Sequence, residues 1–185
     1  GTGPAQHAPS SAGRAVVELR AAGTKTVVID PRFTPDAARA DVWLPIRPGT
    51  DIAMMLGWIR YIIENDLYDQ EFCSKWSNLP FLVDPDDPAG ALLRASRVFD
   101  DVTEENEGYV YYDTATGKAT KAFALSPDNE ASYSPALFGT YEVALKDGST
   151  IKCKTAFEAY KDQSSEYTLE KVASICHVDE ADLEE

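Results

Sequence analysis

Long apolar runs are missing from this 185-residue chain, and so are clustered cysteines, histidine pairs and a basic surface. No stretch approaches the ~18 apolar residues that a membrane-spanning helix needs, which predicts no membrane span. The most apolar run, residues 52–63, is broken by Gly57 and Arg60. Cys73, Cys153 and Cys176 stand far apart, and no C-x-x-C pair offers the grouped thiolates of a zinc or iron–sulfur site. They read as buried, inert thiols. His7 and His177 are the only histidines, and neither has the Ser or Cys context of a hydrolase triad. Basic residues are outnumbered, 17 Lys and Arg against 31 Asp and Glu, for a net charge of −14. Nucleic acid, whose phosphates demand a basic footprint, is excluded as a partner on that ground. The N-terminus has no initiator Met, no basic n-region and no apolar h-region. The chain therefore reads as an excised piece, with no targeting signal and no compartment legible.

What is present is the composition of a folded globular domain, 44% hydrophobic and 26% charged. Charge is unevenly spread. Residues 1–50 carry six basic side chains against four acids, a net of +2, so the remainder carries −16. An anionic ligand would be met in the first fifty residues.

The pattern along the chain predicts an α/β fold. A helix is expected over 12–22, with Val16, Val17 and Leu19 as its apolar face and Gly23 as the left-handed residue that stops it. The β-branched run Thr26 to Ile29 reads as a buried parallel strand ended by Asp30-Pro31, and Val42 to Leu44 as a second. A helix capped by Thr50 or Asp51 follows, its stripe formed by Ile52, Met55, Leu56, Ile59, Ile62 and Ile63, widened by Met54 and Trp58. A short helix is expected over 69–76. Two hairpins come next, one with an arm at 109–112 closed at Thr116-Gly117, the other pairing 141–145 with 150–154. Helices return at 156–162 and 169–176 behind the cap Thr168. The Asp84, Asp86, Asp87 stretch lacks a bidentate Glu at calcium-loop spacing and reads as a solvated turn. The tyrosines at 109–112 read as a packed strand.

Three elements in the first fifty residues carry chemistry. Gly1-Thr2-Gly3-Pro4 opens the first helix, and Asp30 ends the strand after it, the layout of a dinucleotide-binding βαβ half in which backbone N–H groups face phosphate. The full G-x-G-x-x-G is absent. Asp30-Pro31-Arg32 puts a carboxylate and a guanidinium on the loop leaving the strand. There the arginine suits phosphate, and the acid suits a ribose hydroxyl or a guanine N1–H/N2–H edge. The same pair also suits a structural brace of the turn. In Arg47-Pro48-Gly49-Thr50-Asp51, Gly49 permits close backbone approach, while Asp51 stands where a helix cap would stand.

In this order and wording the residues resemble the molybdopterin oxidoreductases of the dimethyl-sulfoxide-reductase family. The resemblance rests on Gly1 to Pro4 with His7 and Pro9, Val28 to Thr34, Ala40 to Asp51, and Leu67 to Phe72. It is densest over residues 1–83. Leu137 to Tyr141 and Cys153 to Phe157 are similar to the branch that contains acetylene hydratase, pyrogallol transhydroxylase and catechol dehydroxylases. The resemblance implies a Rossmann-like α/β/α core with a parallel sheet, to which a β-rich acidic lobe is appended or inserted. Residues 1–83 would form the guanosine-binding segment, 84–155 the lobe and 156–185 C-terminal helices. It further implies that Gly1, Gly3 and Pro4, Asp30 and Arg32, and Gly49 and Asp51 hold the nucleotide of one molybdopterin guanine dinucleotide. Gly3 stands where the family has Asn, which removes a side-chain hydrogen bond. No catalytic or metal-ligating residue is expected in this chain. The iron–sulfur cluster would lie elsewhere in the parent protein, and an iron–sulfur electron-transfer subunit would be a partner besides the rest of the parent chain. A different class of reading is a stand-alone nucleotide-binding or protein-interaction module without redox activity.

Overall fold

The computed structural model describes residues 12–184, so the Gly1, Gly3, Pro4 and His7 expectations lie outside the described residues. The fold is α/β, mixing helices with one parallel and two antiparallel strand pairs. The chain divides into two compact units: residues up to Ile62 together with those from Ser164 onward, and Ile63–Gln163 between them.

In the first unit helix α1, Ala12–Ala21, stops where the sequence places a glycine. Gly23 sits at φ +86, its amide donates to the Arg20 carbonyl at 2.9 Å, and the Thr24 amide reaches back to Leu19 at 3.0 Å. These bonds take up carbonyls the helix would leave bare. Of the expected apolar face Val16 is half-buried, while Val17 and Leu19 stay exposed. Strands β1, Val27–Ile29, and β2, Val42–Leu44, pair in parallel, Val27 opposite Val42 and Ile29 opposite Leu44. Their crossover contains a 3-10 turn, Ala37–Arg39, whose start is tied by the Ala37 amide donating to the Thr34 hydroxyl at 3.2 Å.

Helix α2, Asp51–Glu64, buries Met54 and Ile63 of its widened stripe and leaves several of its other members open. Met54 is fully buried and Gly57 is enclosed, whereas Ile52 is 76% exposed and Met55 and Ile62 lie largely open. The cause is Gly57. Lacking a Cβ, it lets helix α5, Leu169–Cys176, approach so closely that an added methyl would lie 2.6 Å from Val172 Cγ2. Helix α6, Glu180–Glu184, closes the same side, its Leu183 carbonyl accepting from Trp58 Nε1 at 3.1 Å. Val42, Leu44, Ile46, Met54, Val172, Cys176 and Leu183 form the core.

The second unit is built on helix α3, Gln70–Lys75, two hairpins and helix α4, Ala156–Ser164. The Asp69 carboxylate caps α3 by accepting the Phe72 amide at 2.9 Å. Strands β3, Val110–Asp113, and β4, Lys118–Lys121, close through a turn that Asp113 organises, accepting the Ala115 amide and the Thr116 hydroxyl. The return arm therefore begins at Lys118, after Gly117. Strands β5, Thr140–Ala144, and β6, Thr150–Lys154, form the other hairpin. Residues 81–83 bridge the two, the Leu82 amide donating to Val110 and the Val83 amide to Lys154, each at 2.8 Å. Leu82, Leu93, Val110, Val143 and Cys153 are the core of this unit. Tyr111 is buried and Tyr112 stacks on Tyr141 at 3.8 Å, the packing expected of a strand. Asp84 departs from expectation: it is buried, not solvated, because the Arg97 guanidinium bonds both it and Asp86. An arginine 13 residues away supplied the counter-charge, and sequence spacing does not reveal such a partner.

Two expectations follow. Gly57→Ala should destabilise the chain by about 1–3 kcal/mol through overpacking against the stiff Val172 side chain. Val172→Ala in the same background should recover part of that loss in urea unfolding. Burial also pushes the Cys153 thiol up to about 11, and Cys176 is equally enclosed. Burial pushes the Cys73 thiol up as well, but Cys73 is only half-buried, so an aromatic disulfide reagent at pH 8 should reach Cys73 in the native chain and all three thiols only in denaturant.

Candidate functional site

The parallel register brings two loops to one edge of the sheet. Because β1 and β2 run the same way, the loop leaving Ile29 and the loop leaving Leu44 depart from the same, C-terminal edge. The first carries Asp30 and Arg32; the second carries Gly49 and Asp51. The Asp30 amide donates to the Leu44 carbonyl at 3.2 Å, so the two loops share their root. At the opposite edge Asp41 clasps the strands together: its carboxylate accepts the Thr26 amide at 2.7 Å and the Thr26 hydroxyl at 3.0 Å. The backbone bond from Thr26, more than any other group, holds the Asp41 carboxyl below the ordinary carboxylate range.

Each loop is fixed by contacts that leave its polar tips open. Asp30 is half-buried, and one of its carboxylate oxygens accepts the Arg32 amide at 2.8 Å, an Asx turn that orients the pair. The Arg32 guanidinium is exposed and has no protein partner among the described residues. Asp30 therefore braces the backbone of Arg32 and forms no ion pair with its side chain. On the second loop the Arg47 amide donates to the Cys176 carbonyl at 2.8 Å, and the Thr50 hydroxyl and amide both donate to the Arg47 carbonyl. The Cys176 thiol faces the Thr50 carbonyl at 3.7 Å. The Thr50 hydroxyl thus ties the turn backward, while its carbonyl accepts the Met54 amide at 3.2 Å and opens α2. Asp51 lies in the first helical turn, exposed, where a carboxylate is favoured by the helix dipole. Gly49 holds φ +87, and a Cβ there would meet nothing within 4 Å. Conformation, not crowding, requires this glycine, and the backbone around it is accessible.

Trp43 is the residue the motif reading gave no role. Val42 and Leu44 are buried on one face of β2, so Trp43 lies on the other. Its Nε1–H donates to the Asp30 carbonyl at 2.8 Å, and its ring meets Phe33 edge-to-face at 4.9 Å. The available signal was the polar handle of a lone tryptophan in a three-residue apolar strand, which needs a partner when covered.

Comparison with known proteins gives a consistent family. The family model for molybdopterin oxidoreductase matches residues 1–176. The catalytic chain assigned to a dimethyl sulfoxide reductase of Halobacterium salinarum is 36% identical over 169 residues, 91% of this chain and 18% of that protein. Dopamine dehydroxylase of Eggerthella lenta is 28% identical over 241 residues, 92% of this chain and 24% of the relative. The solved structure of acetylene hydratase from Pelobacter acetylenicus aligns with 94% of this chain and 13% of its own, at 24% identity and a TM-score of 0.47. The chain spans less than a quarter of each.

The positive φ of Gly49 yields a prediction. Gly49→Asn, a residue that tolerates the left-handed region, should leave the unfolding midpoint nearly unchanged. Gly49→Val should cost about 1–2 kcal/mol, since a β-branched side chain is strained there whatever the space.

Proposed function

Because the chain belongs to the molybdopterin oxidoreductase family, we propose that it holds the guanine-nucleotide end of a molybdopterin guanine dinucleotide where β1 and β2 end. One observation carries this reading: two loops from parallel neighbours leave the same edge, one bearing Asp30 and Arg32, the other Gly49 and Asp51. The donor set suits such a group. Arg32 has an unengaged guanidinium, able to grip phosphate oxygens with two parallel N–H groups. The carboxylates of Asp30 and Asp51 accept hydrogen bonds, as a guanine N1–H/N2–H edge or ribose hydroxyls require. The open backbone at Gly49 admits a ring or phosphate at close range. Gly1, Gly3 and Pro4, which precede α1 in the sequence, would complete the cradle.

When bound, the cofactor's molybdenum or tungsten supplies the redox or oxygen-transfer chemistry. This chain's own work is binding and orientation of the nucleotide tail, and no residue in it is assigned to the substrate. By itself the chain is then catalytically incomplete. In a parent oxidoreductase it would act with the remaining domains, an iron–sulfur cluster held elsewhere, and an electron-transfer subunit.

The test is cofactor retention in the parent enzyme. Asp30→Ala and Arg32→Ala each remove a charge-assisted bond and should weaken retention about ten- to a hundredfold. Metal content and acid-released guanine should fall together. Parent-level molybdenum and guanine in both variants would overturn the assignment.

A further inference from the structure

We infer that Trp43 is the positioning residue of the Asp30–Arg32 loop, holding that loop in the shape that receives a guanine nucleotide. The inference rests on the reading of this edge given above and adds a residue to it.

The Asp30-Pro31-Arg32-Phe33 segment has little to hold it in place. One end is rooted by the Asp30 amide on Leu44, the other by the Thr34 hydroxyl, which accepts the Ala37 amide. Between these roots the Asx bond from Arg32 to Asp30 is local and spans two residues. Among the described residues Trp43 is the only side chain from outside the segment with a hydrogen bond or ring contact to it, and it makes one of each. Its indole N–H fixes the Asp30 carbonyl, which sets the peptide plane that leads into Pro31. Its ring meets Phe33, a residue 65% exposed that has no other ring contact among the described residues. The two contacts lie on either side of Pro31 and Arg32, so the tryptophan spans the stretch that presents the guanidinium. Pro31 limits rotation within the stretch; Trp43 limits movement of the stretch as a whole. Ordering the loop before a ligand arrives lowers the conformational entropy that binding must overcome.

No hydrogen bond or cation–π contact joins Trp43 to the Asp30 carboxylate or the Arg32 side chain; it acts through the Asp30 carbonyl and the Phe33 ring. Replacing it should change affinity with little change in stability. Phenylalanine keeps a ring against Phe33 and removes the N–H; leucine removes both.

The experiment uses the 185-residue chain and a fluorescent GDP analogue, read by anisotropy, with urea unfolding measured in parallel. Trp43→Phe should weaken binding about three- to tenfold, the range of one lost hydrogen bond, and Trp43→Leu more. The unfolding midpoint of Trp43→Phe should stay close to that of the parent sequence. Phe33→Ala, a change at an exposed ring, should also weaken binding, and it stands in if a Trp43 variant does not fold. In hydrogen exchange the Trp43 indole proton should exchange more slowly than that of Trp76, which is 61% exposed. If the unaltered chain binds GDP, Asp30→Ala abolishes binding, and Trp43→Phe and Phe33→Ala both bind like the unaltered chain, the positioning role is wrong and the nucleotide reading stands. If the unaltered chain takes up no GDP, the nucleotide reading fails for this chain and the inference fails with it.

Discussion

Two strands of three residues each, laid parallel, decide where every candidate ligand-binding side chain of the first unit stands. Parallel pairing needs a crossover, and here it is short: residues 30–41, with one 3-10 turn. It is held shut at one edge by Asp41 on Thr26 and at the other by the Asp30 amide on Leu44. Were β1 and β2 antiparallel, the loops after Ile29 and Leu44 would leave opposite edges. Asp30 and Arg32 would then face one way and Gly49 and Asp51 the other. The direction of the pairing is thus the constraint on which a shared site depends.

The second loop depends on residues far along the chain. Arg47 and Thr50 are tied to Cys176, and α2 is packed by Val172 and Leu183, all more than a hundred residues later. Gly57 permits this approach. The segment Ile63–Gln163, between these parts in sequence, forms its own core, and it makes ion pairs within itself, Arg97 on Asp84 and Asp86, Lys154 on Asp162. Such exposed pairs contribute little to stability, while the buried Asp84 depends on Arg97 to avoid an unpaired charge.

Most of the local structure was legible because it follows from local physics. Gly23, Asp69, Thr168 and Gly117 act through bonds within a few residues, and the β-branched runs form strands where they stand. The part of α2 that departs from its expected stripe has the opposite origin. Its periodicity correctly predicted a helix, but a helix with apolar residues on several sides does not say which side its own domain covers. Ile52, Met55 and Ile62 matched the stripe and remain exposed; Met54 and Gly57 are enclosed. Asp84 was misread for the same reason, its partner being distant in sequence.

The sequence alone determined which residue types stand on the two loops, and the ordered motifs from Asp30 to Asp51 pointed to a family. It also determined the elements, since caps, glycines and periodicity act over a turn or two of chain. Only the tertiary structure decided that the loops share an edge, that Asp30 braces Arg32's backbone without pairing its charge, and that Trp43 spans the loop from the opposite face of β2. The first and the last depend on strand direction and on a contact over 13 residues, which no local rule relates; the second is a bond spanning two residues, and the structure decided only which of the roles open to the pair it takes.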